Sequence, residues 1–354
     1  MDEITFDRSH GGAHPGGSLI DFSVSTNPFG PPPAVLEAFH RAAAAIASYP
    51  EPYAATLTAA IAKHLGVAPG NVLAGNGSTQ LLYLIARVLR PARPFVVTPT
   101  FSEIANSLLT VQAAPAPIAL RREQQFQLDI DDVEKALAQG ADALFLGRPN
   151  SPTGSTLDVA GVSEIAGRCD IRRCWCVIDE AFIEFADDPA SAVDLIKEHP
   201  RLIVTRSMTK LYAIPGLRLG YLVASEDAVA DLARVLEPWS VSGPATAVGL
   251  ACLGQSDRWR AEIHSALKCE RAYIEKQLTA IPGFTVFPSA ANFLMFEAPQ
   301  SQRFGQHMLE RGIVVRDLAA LPGAGPGLFR IGVRGRADND RLLQAARTWP
   351  LKRK

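Results

Sequence analysis

A lysine set among small polar residues is the first feature of this chain that could do chemistry. Lys210 stands in Ser207-Met208-Thr209-Lys210-Leu211-Tyr212, whereas other lysines, such as Lys135 and Lys276, fall in solvated contexts. A lysine drawn out of water loses its proton readily and can then attack an aldehyde. Asp179 closes the apolar run Trp175-Cys176-Val177-Ile178. A carboxylate at the end of a buried strand needs a cationic partner, because desolvation disfavours its charge. That partner is either an arginine of the fold or a protonated ring nitrogen of a ligand. Gly75-Asn76-Gly77-Ser78-Thr79 precedes the helical stretch Gln80–Leu89. A glycine loop opening a helix offers free N–H groups to an anion, although on this feature alone Ser78 reads more readily as an ordinary N-cap. Arg218, in Gly216-Leu217-Arg218-Leu219-Gly220-Tyr221, suits a phosphate, and the glycines on both sides let backbone come close. In chain order this is an anion loop, an acid for a cationic ring, an amine for an aldehyde and an arginine for a phosphate.

The elements around these residues explain how they could converge. Phe95-Val96-Val97, Ala143-Leu144-Phe145-Leu146, Cys176-Val177-Ile178 and Leu202-Ile203-Val204 are short, unalternating and rich in branched residues. Such runs read as strands buried on both faces. Helical spacing falls between them, over Asp131–Gln139 and Val159–Arg168. The alternation predicts an α/β fold with a large, mostly parallel sheet, whose ligands gather beyond the carboxyl ends of the strands. Upstream, residues 11–33 are rich in Gly and Pro, and helical spacing follows over Ala34–Ala47 and Ala54–Leu65, with Gly66 as a stop. After Gly243 the pattern changes to a long helical stretch, Pro244 to Ala280, then strand-like Phe293–Phe296 and Leu328–Val333. The expected organisation is a large α/β domain over 46–243, and a smaller α+β domain built from 244–354 with the N-terminal segment 1–45.

Composition narrows the function. The 354 residues suffice for a large core, and 47% are hydrophobic and 20% charged. A formal net charge of −1 gives no basic field for nucleic acid or an anionic membrane. The terminal Lys352-Arg353-Lys354 reads as a solvated tail. The first ten residues lack the pattern of a secretory leader, and no apolar run reaches the roughly 20 residues needed to span a bilayer. The five cysteines are odd in number, and Cys169, Cys174 and Cys176 lack the paired spacing of a zinc site. Cys176 reads as a core thiol. No metal is expected, and the cysteine usage fits a reducing cytoplasm.

From Ser207 through Tyr221, with Ala213-Ile214-Pro215-Gly216-Leu217 at its centre, the chain resembles the fold-type I enzymes dependent on pyridoxal 5′-phosphate. The resemblance is to the branch of histidinol-phosphate aminotransferases and threonine-phosphate decarboxylases, and it covers nearly the whole chain. His10-Gly11-Gly12, Asp21-Phe22-Ser23, Asn27-Pro28-Phe29-Gly30, Asp179-Glu180-Ala181-Phe182 and Pro238-Trp239-Ser240-Val241 resemble the decarboxylases in particular.

This resemblance implies roles by position. Lys210 would hold the cofactor as a Schiff base, and Asp179 would keep the pyridine nitrogen protonated. Gly77, Ser78, Thr79, Ser207 and Arg218 would hold its phosphate, and Phe101 would stack on its ring. Tyr49, in Tyr49-Pro50-Glu51-Pro52, matches a tyrosine that reaches the cofactor phosphate of a partner subunit, which implies a homodimer. Asn27 and Arg330 would bind a substrate carboxylate, while Arg316 and His10 would meet a substrate phosphate. Where the family has Asn before Pro-Thr-Gly, this chain has Ser151, so either Asn150 or Ser151 would contact the cofactor's phenolic oxygen. Phe182 stands where aminotransferases often carry a tyrosine. The segment between Gly12 and Asp21 is shorter than in typical decarboxylases of the branch. The implied activity is decarboxylation of a phosphorylated amino acid, with threonine phosphate as the expected substrate. The alternatives are an aminotransferase of the histidinol-phosphate type and, more remotely, a binding protein that kept the fold.

Overall fold

The computed structural model describes residues 4–7, 10–12, 19–188, 190–299 and 303–350. The tail at 352–354 and most of the shortened segment after Gly12 therefore lie outside the described residues.

A seven-stranded sheet organises the chain. Its strands lie in the order Val72–Gly75, Gly220–Ala224, Leu202–Ser207, Trp175–Asp179, Ala143–Gly147, Pro94–Thr98 and Ala116–Ala119. Neighbours pair in parallel except around Gly220–Ala224, which runs against the strands on both its sides. Adjacent residues point to opposite faces. Val97, Leu144, Ile178, Val204 and Val223 enter one apolar cluster. Val96, Phe145, Val177, Ile203 and Leu222 enter the other. Both faces are therefore buried, which is why these runs carry no polar alternation. Truncating a side chain as buried as Phe145 to Ala would cost about 3–5 kcal/mol.

Helices cover the sheet and differ from expectation at their ends. The first runs over Pro33–Ala42 and tightens into a 3-10 turn at Ala43–Ala45, with proline at its start. The next, Ala55–Leu65, stops at Gly66, whose φ of 71° is the left-handed cap that glycine supplies. Ile130–Ala138 and Val159–Ile171 occupy the expected places, each with an aspartate N-cap. The long helix expected from Pro244 to Ala280 is two helices, Gly243–Leu253 and Asp257–Thr279. Ser256 caps the second by accepting from the Trp259 N–H.

The C-terminal third forms a four-stranded antiparallel sheet in the order Arg316–Asp317, Leu328–Gly332, Phe293–Glu297 and Thr285–Val286. The N-terminal segment lies along it. Ile20–Asp21 pairs in parallel with Ile313–Val314, the Gly332 N–H donates to Phe22 O at 2.7 Å, and Asn292 donates to Ser25 O. The first residues are thus tied to the last part of the chain, beside the carboxyl edge of the large sheet.

Candidate active site

Strand ends bring the reactive groups together. Gly147, Asp179 and Thr205 are register partners on three adjacent strands. Asp179 is 8% exposed, and its Oδ1 accepts from Thr205 Oγ1 and the Ala181 N–H, both at 3.1 Å. Burial raises its pKa to about 6, although these two hydrogen bonds and Lys210 pull the other way. One oxygen is thus secured while the carboxylate still lacks a full counter-charge.

Lys210 follows the strand Leu202–Ser207 on a closed loop. The Met208 N–H donates to Leu219 O, the Ile214 N–H to Thr209 O, and the Asn27 N–H to Lys210 O at 2.9 Å. Its Nζ lies 5.5 Å from the centre of the Phe182 ring. Burial, Arg330 and Arg218 lower its pKa to about 8, against the pull of Asp179. A neutral amine is therefore accessible near physiological pH, as attack on an aldehyde requires.

The anion loop is built by close approach. The helix starts at Gly77 and runs to Leu89, so the N–H groups of its first turn face outward. Gly77 has φ 79°, and a Cβ there would meet Arg218 Nη2 at 2.7 Å. A Cβ on Gly220 would meet the Ser78 backbone nitrogen at 2.5 Å. Gly220 is therefore required for this junction, whereas Gly216 faces open space, so only one of the two expected glycines serves the approach. Arg218 is exposed and adopts a left-handed φ of 53°. Ser207 Oγ bonds to Thr209 Oγ1 at 2.8 Å on the neighbouring strand end.

The other side of the site is an open cleft with about 380 Å³ of empty volume, lined by His10, Phe101, Ser151, Leu321, Arg316 and Arg330 among others. Arg316 and Arg330 are direct register partners on antiparallel strands. Like charges so placed repel, and burial together with Arg316 lowers the Arg330 pKa to about 10. Arg330 lies over the Phe293 ring, donating Nη1 to Ser151 Oγ at 2.8 Å and Nη2 to Ser23 O at 2.6 Å. Its buried Nε has no partner among the described residues.

Residues 18–346 match the family described as aminotransferase class I and II. The chain belongs to that family. It is 36% identical over 331 residues to the threonine-phosphate decarboxylase of Salmonella typhimurium, covering 93% of this chain and 90% of that protein. It is 33% identical over 340 residues to the histidinol-phosphate aminotransferase of Roseiflexus castenholzii, covering 92% and 88%. The fold superposes on the histidinol-phosphate aminotransferase of Sinorhizobium meliloti, solved with pyridoxal 5′-phosphate, with a TM-score of 0.79 at 24% identity, covering 92% of this chain and 88% of that one. The protein is an enzyme of this class I/II family with fold-type I architecture, and its cofactor is pyridoxal 5′-phosphate. The donor set suits that cofactor. A buried, incompletely neutralised carboxylate, an amine of lowered pKa and a helix start beside an arginine match its ring nitrogen, aldehyde and phosphate.

Other predicted residues sit differently. Asn150 is buried and committed, donating to Pro99 O and Thr153 Oγ1 and accepting from Thr100 Oγ1. Ser151 is the one that faces the cleft, bonded to Arg330. Asn27 is buried as well, donating to Leu211 O and accepting from the Phe29 N–H, so it ties the N-terminal segment to the Lys210 loop. Tyr49 is 85% exposed and lies against Trp239, its ring centre 5.2 Å away. His10 faces Glu103 at 3.2 Å.

Sequence reasoning missed a buried charge network behind Asp179. Arg148 donates to Glu180 Oε1 at 2.6 Å, with both side chains at most 1% exposed. Glu180 also accepts from the Ala192 N–H and Ser191, and Arg206 approaches it at 3.5 Å. Removing one partner of such a pair costs about 3–5 kcal/mol, because a buried charge is stranded. The available signal was Glu180 itself, a second acid at a buried strand end.

Among the described residues, no helix is long and apolar enough to cross a membrane.

Proposed function

We propose that this enzyme decarboxylates a phosphorylated amino acid, with threonine phosphate as the substrate, and that Lys210 anchors the cofactor. The observation that carries the substrate class is the cross-strand pair Arg316 and Arg330. Two arginines held opposite one another in one cleft suit a ligand with two anionic groups, a carboxylate and a phosphate. Histidinol phosphate has only the phosphate, and an aminotransferase would bring in a second anion through a dicarboxylic keto acid, which the single-turnover test below leaves out. The likeness to the Salmonella decarboxylase over nearly the whole chain supports the same reading.

Lys210 would take the cofactor's aldehyde carbon, Asp179 its ring nitrogen, and Phe101 its ring face. Gly77, Ser78, Thr79, Ser207 and Arg218 would take its phosphate. When bound, pyridoxal phosphate supplies an electron sink for charge developing at the substrate's Cα. The protein decides which bond breaks by holding the substrate. Arg330, fixed by Ser151 and Ser23, grips the carboxylate with Asn27 nearby, and so sets how the Cα–carboxylate bond is aimed. Arg316 and His10 hold the distal phosphate. Lys210 would be the group that holds a proton at Nζ, as its ammonium form, and delivers it at the substrate's Cα once carbon dioxide has left. We further propose a homodimer in which Tyr49 serves the partner's site: its ring rests on Trp239 yet is 85% exposed in the single chain, as a side chain that reaches across an interface would be.

A single-turnover experiment with O-phospho-L-threonine tests the reaction. Carbon dioxide should be released without any keto acid. Stoichiometric pyridoxamine phosphate without carbon dioxide would decide for the aminotransferase.

A further inference from the structure

Glu103 raises a question that the proposed reaction leaves open: why an acid stands beside a cleft built for anions. It lies in the first turn of the helix Ser102–Leu109, directly after Phe101, with a side chain only 12% exposed. Tyr83 donates its hydroxyl to Oε2 at 2.6 Å, and Asn106 donates Nδ2 to Oε1 at 2.8 Å. Two helices therefore fix this carboxylate independently of the N-terminal segment. Asn106, three residues on and on the same helix face, grips that segment from both sides. It accepts from the Asp7 N–H at 3.2 Å and donates to Asp7 O at 2.6 Å. His10 is half-exposed, so packing does not set its ring. Among the described residues it meets Glu103, with Nε2 3.2 Å from Oε1, and the tilted ring of Phe101 at 6.5 Å.

We infer that Glu103 is a positioning residue for the anion site: it holds His10 by Nε2, so that the ring's other nitrogen is presented to the distal phosphate of the substrate. Nδ1 can donate there when both ring nitrogens carry protons. Among the described residues, the charged groups around the pair are Asp7, Arg316 and Arg330, the arginines lying across the cleft on the C-terminal sheet. The inference rests on the reading of this cleft as the site of a phosphorylated substrate.

Two roles for Glu103 predict effects of opposite sign. If it only braces the helix, neutralising it removes a negative charge beside the anion site, and anions bind equally well or better. If it positions His10, neutralising it weakens them. The probe is 3-phosphoglycerate, which carries a carboxylate and a phosphate but no amine to react, with glycerate as the counterpart lacking phosphate. Calorimetric titration of the holoenzyme should show 3-phosphoglycerate weakened about tenfold by Glu103→Gln and similarly by His10→Ala. The double variant should be little worse than either single one, since the two act as a unit. Glycerate affinity should not change, and Glu103→Asp should recover most of the phosphate affinity. In turnover, Glu103→Gln should raise KM with kcat held. Unchanged or tighter binding of 3-phosphoglycerate to Glu103→Gln, with His10→Ala still weakened, overturns this inference alone. If His10→Ala also binds 3-phosphoglycerate normally, the phosphate role of His10 falls with it. Half-exposed His10 can be replaced with little risk to folding, and where Glu103→Gln is poorly folded, Tyr83→Phe, which loosens the same carboxylate, takes its place: 3-phosphoglycerate weakened with glycerate unchanged supports the inference, and unchanged binding of both overturns it.

Discussion

At the Lys210 end of the cleft, the side chains proposed to hold the cofactor stem from the ends and following turns of one buried sheet. At the His10 end they come from an N-terminal segment and a small antiparallel sheet, both laid against that edge. The first set is fixed by register: Asp179 beside Gly147 and Thr205, and Gly75 beside Gly220. The second set is fixed by side chains reaching across the chain, such as Arg330 to Ser151 and Ser23, 179 and 307 residues away. The difference suggests a division of labour. Chemistry common to a family resides where the sheet dictates geometry. Substrate choice resides where a few hydrogen bonds between distant segments can be exchanged without disturbing the core.

The largest effect should come from the rigid end. Asp179→Ala should keep the fold and slow turnover by roughly a thousandfold, a loss of about 4 kcal/mol of transition-state stabilisation. Near-normal kcat in a cofactor-loaded variant would erase the contrast. The substrate end should respond differently. Arg330→Ala should lower kcat/KM by roughly a hundredfold, about 3 kcal/mol for a charge-assisted contact, with little change in cofactor affinity. A large loss of cofactor instead would mean that the two ends are not separable.

A pH experiment sharpens the Lys210 end. Only the neutral amine attacks an aldehyde, and the Lys210 pKa is lowered to about 8. Cofactor loading of the apoprotein should therefore quicken about fivefold from pH 7 to 8 and level off above that. An ordinary lysine would gain about tenfold per pH unit up to about pH 9 and would still be rising beyond it. The smallest effect is expected for Ser151→Ala. Loss of its bond to Arg330 should raise KM by about tenfold and leave kcat and the cofactor's absorbance unchanged. A shifted chromophore would place the hydroxyl on the cofactor rather than on Arg330.

Much of the rigid end was legible in the sequence. Trp175–Ile178 and Leu202–Val204 announce strands because they are buried on both faces, and Asp179 and Lys210 stand out as charges beyond them. The direction of Gly220–Ala224 was not legible, since periodicity reports burial and not orientation. The break of the long helix was written in Gly254-Gln255-Ser256, but the helical spacing on either side masked it. The partners of Glu180 were invisible because Arg148 and Arg206 meet it only through strand order. At the substrate end, resemblance named His10, Arg316 and Arg330 and marked Ser23 without a role, yet Tyr83 and Glu103 carry no local signal. Their roles come from contacts between segments that the sequence leaves far apart.

Lys210 is the residue on which the proposed chemistry depends. Borohydride reduction of the holoenzyme, followed by peptide mass mapping, reads the covalent anchor directly. The pyridoxyl group should appear on the peptide that contains Lys210 and on no other. A pyridoxyl group on a different lysine, or none in fully loaded enzyme, would contradict the assignment of this strand end as the centre of the reaction.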